Sequence, residues 1–112
     1  EVCKVGTESD FKVIITLQPL VGTGNKILSS EESTYFKKFD GQSKIDNYKF
    51  YLNVLNELDS ECSATFNLQN VFDSNSETMF YDFGHVGDSG NEIIGNNIYE
   101  KIFPIISEDI SK

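Results

Sequence analysis

The chain has 112 residues, with 18 Asp and Glu against 9 basic residues, all of them Lys, for a net charge of −9. That length sets one domain at most, with a modest core, and an acidic surface without Arg excludes nucleic acid and anionic membrane surfaces as partners. No apolar run approaches the ~18–20 residues of a spanning helix, and nine Phe and five Tyr with only two Pro exclude a disordered acidic tail.

The sequence starts at Glu1 with no basic-then-apolar leader before it, which sets the expectation of either an exported product or a segment of a longer chain. Cys3 and Cys62 are too few for a disulfide scaffold and lack metal-site spacing. Two states are open to them. A bridge would close a loop of about 60 residues and contribute about 4 kcal/mol in the chain-entropy account; otherwise they are two buried thiols. Export favours the bridge.

Residues 12–18, KVIITLQ, form an apolar, β-branched run ended by Pro19, the habit of a strand buried on both faces in a parallel sheet. Residues 19–30 read as a loop. Ser29 with Glu32 makes a capping box opening a short helix over 30–39, which Asp40-Gly41 ends. Ser43 and Asp46 look like the next helix start, and Ile45, Tyr48, Leu52 and Leu55 recur at three- and four-residue spacing, which predicts an amphipathic helix reaching toward Cys62. In residues 64–68, Ala64, Phe66 and Leu68 alternate with polar residues, a second strand; the helices between the two strands suit a crossover connection.

A polar stretch at 73–78 leads into MFYDFGH, residues 79–85. A last helix is expected from about Gly87–Ser89, capped by Ser89 with Glu92, striped by Ile94, Ile98 and Ile102, and ended by Pro104. Gly95 would let this helix approach a sheet, at about 1 kcal/mol of propensity relative to Ala. The layout strand–helix–helix–strand–helix is α/β. Two parallel strands do not make a stable sheet, so residues 1–112 read as a single incomplete α/β domain.

His85 is the only His, so imidazole chemistry in this chain runs through it. Asp82, three residues earlier, can engage Nδ1, fix the tautomer and leave Nε2 free to take a proton from a hydroxyl. Eight Asp in 112 positions would place one at that offset by chance about one time in fourteen. The bare spacing is therefore weak, and the alternative is a surface turn with a capping Asp.

The surrounding stretch adds to it. Met79 to Pro104, MFYDFGHVGDSGNEIIGNNIYEKIFP, resembles the last block of the SGNH (GDSL-type) hydrolases: an Asp-x-x-His, a short turn, a Gly-Asn and an Ile-rich helix, matched here by Asp82, His85, Gly90, Asn91, Ile93, Ile94 and Ile98. Upstream, a strand running into Leu17-Gln18-Pro19, LSSEE at 28–32 and NLQNVFD at 67–73 agree with it, so the resemblance covers most of residues 12–106.

The resemblance implies the C-terminal part of a three-layer α/β/α, flavodoxin-like fold with parallel strands, and hydrolysis of small-molecule esters by a Ser–His–Asp arrangement without a cofactor. On that reading His85 is the general base and then acid, and Asp82 orients it and stabilises its cation. The family's nucleophilic Ser, oxyanion Gly and Gly-x-Asn all precede the strand matched by residues 12–18 and have no counterpart here. Without them an Asp–His pair has little acyl chemistry to perform, and the chain alone is expected to be inactive.

Three look-alikes are weighed against that reading. Gly87-Asp88-Ser89 has the letters of a nucleophile motif, but Ser89 is four residues from the sole His at the entry of the same helix, so a capping role is expected. Gly22-Thr23-Gly24-Asn25 lacks the Lys-Ser/Thr of a Walker motif and follows the wrong strand for an oxyanion loop. Asp73, Glu77 and Asp82 lack EF-type spacing and read as a solvated acidic face. A receiver-like flavodoxin domain would need an acidic cluster at the strand ends and a Lys on the last strand, and neither is found.

Two functional expectations follow. One is the C-terminal half of an SGNH-type esterase, completed by an N-terminal half of the same precursor or a companion chain. The other is a non-catalytic binding or assembly module of the same descent. Both predict an open strand edge and an apolar patch around Val13, Ile15 and Leu17.

Overall fold

The computed structural model describes residues 1–110, the side chain of Asp109 excepted. A short helix α1 (Val2–Glu8) is followed by strand β1 (Ile14–Leu17), helices α2 (Ser30–Lys38) and α3 (Gly41–Leu58), strand β2 (Ala64–Asn67) and the long helix α4 (Asp88–Ile110). The two strands pair in parallel, Ile14 opposite Ala64 and Leu17 opposite Asn67, with α2 and α3 forming the connection. The mixed α/β character and the parallel pair agree with the sequence reading.

Helix α2 starts where its capping box places it. The Ser29 hydroxyl accepts from the Glu32 amide at 3.2 Å, and the Glu32 carboxylate accepts from the Ser29 amide at 3.0 Å. Acidic residues in its first turn and Lys37 and Lys38 in its last match the helix dipole. Asp40, at φ 53°, turns the chain directly into α3, which therefore begins at Gly41, before the start read at Ser43 and Asp46. The predicted stripe is the buried face of α3, with Tyr48 and Leu55 buried and Ile45 and Leu52 half-buried; it packs on both strands.

One helix is new and three further expectations about helix α4 are corrected. Residues 2–8 form a helix that the sequence reading left unassigned; Cys3 and Gly6 are its buried residues. Helix α4 runs through Pro104 to Ile110, since an internal proline deletes only its own backbone bond and the chain can resume. Gly95 is exposed with open space at its Cβ position; the close approach is at Gly90, where a Cβ would lie 2.8 Å from Val86 and 3.3 Å from Phe72. Ser89 lies inside the first turn of α4, one residue past its start, so it is not the cap.

The best-buried cluster is not under the sheet. Val21, Phe72, Met79 and Phe80 form it, with Leu28, Phe36, Val71, Phe83, Val86, Ile93 and Ile94 packed around. All of these lie in the loops beyond the strands and in the helices beside them. Strand β1, expected to be buried on both faces, is covered less: Val13, Ile14, Ile15 and Leu17 are half-buried and Thr16 is exposed.

The sheet has only two strands among the described residues. Val13 and Leu17 turn their carbonyls to Ser63 and Leu68, so by alternation the backbone groups of Ile14 and Thr16 face the open edge. The radius of gyration is 15.9 Å, against about 13 Å for a compact domain of this length. The accessible surface of 7385 Å² likewise exceeds the roughly 6,200 Å² of a closed monomer of this mass.

Candidate Asp–His site

The segment from Met79 to Gly87 is a small closed turn. Phe80 and Val86 form an antiparallel bridge, the Tyr81 amide donates to the His85 carbonyl at 3.0 Å, and the Gly87 amide donates to the Met79 carbonyl at 3.0 Å. Its base is buried, with Met79 4% and Phe80 2% exposed, while its tip, Tyr81 to His85, reaches solvent. The Phe83 carbonyl accepts from the Val21 amide at 3.0 Å. The Phe83 ring meets Phe39 edge-on, with the Lys44 ammonium 4.9 Å from its centroid.

This turn brings the two predicted site residues together. Asp82 Oδ1 accepts from the amides of Gly84 (2.8 Å) and His85 (2.6 Å), and Asp82 Oδ2 lies 2.6 Å from His85 Nδ1. The two backbone amides, His85 first and Gly84 second, hold the Asp82 carboxyl below its ordinary range against a small opposing effect of burial; the imidazole adds to the lowering. An ionised carboxylate only accepts, so the contact at Oδ2 places the proton on Nδ1 and leaves Nε2 free when the ring is neutral. The Tyr81 ring lies nearly parallel to the imidazole, with 6.3 Å between centroids.

His85 stands at the rim of a groove of about 430 Å³ between the end of β1 and α4. Leu68, Val86, Ile94 and Ile98 supply its apolar lining and Thr16, Gln18 and Asn91 its polar groups. A hydrogen-bonded Asp–His pair at such a rim can take a proton from a hydroxyl placed against Nε2. Among the described residues the imidazole is hydrogen-bonded to Asp82 alone, and no hydroxyl of those residues is bonded to Nε2.

The other sequence candidates have structural roles. Thr23 is buried and its hydroxyl closes a turn on the Leu20 carbonyl at 2.7 Å. The Asn25 amide donates to Asp73 at 2.7 Å, and Asn70 holds the other Asp73 oxygen at 2.8 Å. The loop 22–25 is thus tied shut by its own chain. Among the described residues no group of three or more His, Cys, Asp or Glu is placed to hold a metal ion, and no helix is long and apolar enough to cross a membrane. Cys3 and Cys62 are joined as a disulfide.

One residue near the site was legible only as a cap. Glu32 is fully buried and reaches beyond its helix to the turn that carries the pair, accepting from the amides of Met79 and Phe80 at 3.0 and 3.2 Å. The capping-box spacing signalled its position but not this second contact, which depends on a segment more than 40 residues away. Compared with family models, with curated proteins and with solved structures, the chain finds no match.

Proposed function

We propose that this chain is the C-terminal segment of an SGNH-type serine ester hydrolase, carrying the Asp–His part of the catalytic arrangement and acting once a nucleophile-bearing N-terminal half joins it. The observation that carries this reading is the pair itself: carboxylate on Nδ1 at 2.6 Å, free Nε2, and a groove beside it. In the reaction His85 Nε2 takes the proton of the companion's serine hydroxyl as that oxygen attacks the ester carbonyl. It then returns the proton to the leaving alkoxide.

The distribution of burial supports an incomplete molecule. The turn holding the pair sits on the best-packed cluster, whereas the sheet is two strands wide with an open edge along β1. The surface in excess of a closed monomer is roughly 1,200 Å², more than the ~800 Å² that one partner contributes to a standard interface.

The same open edge also favours a second reading, a non-catalytic binding or assembly module in which His85 is structural. Native mass spectrometry followed by fluorophosphonate labelling separates the two. The hydrolase reading expects a companion polypeptide that takes the label on serine, and an ester-hydrolysing complex in which His85→Ala lowers kcat about 10²–10⁴-fold. A complex whose activity is indifferent to His85→Ala eliminates His85 as the base. A stable, unlabelled 112-residue species alone leaves the binding module.

A further inference from the structure

Glu32 lies at the base of the site with an unusual set of partners. Its Oε1 accepts from the Lys26 ammonium at 2.8 Å and the Ser29 amide at 3.0 Å; its Oε2 accepts from the Met79 and Phe80 amides. All four partners are donors, and both side chains of the ion pair are withdrawn from water, at 3% and 0% exposure for Lys26 and Glu32. Lys26 continues to the Glu77 carbonyl at 2.8 Å. One carboxylate thereby joins the 19–29 loop, the start of α2 and the segment from which the Asp82–His85 turn springs.

We infer that Glu32 is the positioning residue of the Asp82–His85 pair, fixing the base of the turn so that the exposed imidazole keeps its bond to Asp82. Among the described residues the tip is anchored from outside only through Phe83, whose carbonyl accepts from the Val21 amide and whose ring meets Phe39 and Lys44. The pair itself reaches solvent, the His85 side chain 75% exposed and that of Asp82 42%. Its geometry therefore depends on where Phe80 and Val86 meet, and the Met79 and Phe80 amides that Glu32 grips are the start of that meeting. A glutamine cannot substitute, because its amide NH₂ would face donors on whichever side it took. The inference rests on the catalytic reading for its purpose, but the geometry it predicts is measurable in the isolated chain.

Because His85 is the only His, a ¹⁵N spectrum of the imidazole, taken where the ring is neutral, reports its tautomer without ambiguity. The unsubstituted chain should carry the proton on Nδ1. Glu32→Gln should shift the folded chain toward the Nε2–H form preferred by a free imidazole. Leu55→Ala, which opens the α3 core at a buried residue, should lower stability and leave the tautomer unchanged. Should Glu32→Gln not fold, a chain with the Met79–Phe80 amide replaced by an ester deletes one of the two contacts and should show a partial shift. Retention of the Nδ1–H form in folded Glu32→Gln, or in the ester chain where that variant does not fold, overturns the positioning role and leaves the catalytic reading standing. An Nε2–H form in the unsubstituted chain overturns the Asp–His arrangement itself.

Discussion

Cys3 and Cys62 are bonded to each other across a sequence separation of 59 residues, tying α1 to the turn that follows α3 and precedes β2. Helix α1 has seven residues, too few to hold itself in water, so the bridge is a main reason it stays against the strand entry. A loop of that length predicts about 4 kcal/mol of stabilisation in the chain-entropy account. Urea unfolding with and without reductant should show the midpoint falling by about 2 M. A Cys3→Ser, Cys62→Ser double variant should unfold with the reduced chain, and coincidence of its midpoint with that of the oxidised chain would exclude a stabilising bridge.

What the sequence made legible was local chemistry. The Ser29–Glu32 box, the Ile45-Tyr48-Leu52-Leu55 stripe and the Asp82–His85 offset each depend on residues within a turn or two of one another, and the structure has all three. Glu32's grip on Met79 and Phe80 was not legible, because a capping Glu ordinarily faces water, and its burial follows from the tertiary placement of residues 77–80. Pro104 and Gly95 misled for one reason. Each was read without its surroundings: Ile94 and Ile98 turn toward the groove and leave Gly95 on the outer face, and Pro104 removes only its own backbone bond, so the helix resumes beyond it. Whether Cys3 meets Cys62 depended on α1, which has no periodic pattern of its own.

The buried Glu32 carboxylate gives folding an acid limit. Burial on its own would raise its pKa, but the Lys26 ammonium and the amides of Ser29, Met79 and Phe80 together outweigh it and hold it below the ordinary 4.5. A group whose folded pKa lies below its unfolded value stabilises the fold above the unfolded value, and that contribution is lost as pH falls through the folded one. Stability should therefore drop from about pH 4.5 downward. Glu32→Gln should cost about 3–5 kcal/mol at neutral pH by stranding Lys26 and should flatten the acid dependence. Asp73 and Asp82, also lowered by hydrogen bonds, should keep part of the slope. An unchanged acid profile in the variant would assign the limit to those groups instead.

Two glycines should respond oppositely to the same change. Gly22 sits at φ +93°, and a Cβ there would lie 2.5 Å from the Phe36 ring. Gly22→Ala therefore combines backbone strain with a clash and should destabilise by about 2–4 kcal/mol. Gly95 is helical and faces open space, so Gly95→Ala should stabilise by about 0.8–1 kcal/mol through helix propensity alone. Thermal unfolding of the two variants beside the unsubstituted chain checks both signs. Loss of stability in Gly95→Ala would show that this face of α4 is covered.

Tyr48 links α3 to the end of β1 at the edge of the groove, its hydroxyl donating to the Gln18 carbonyl. Burial, with a smaller contribution from Tyr51, pushes its pKa up to about 12 from 10.0. The raised value means that folding favours the protonated phenol. Its contribution is complete below pH 10 and is lost as pH rises toward 12. In an ultraviolet titration one of the five Tyr should ionise late, and Tyr48→Phe should remove that late step. The same variant deletes the bond to Gln18 and should cost about 1 kcal/mol at neutral pH. Survival of the late step in Tyr48→Phe would place it on another ring and leave the Gln18 contact without its predicted signature.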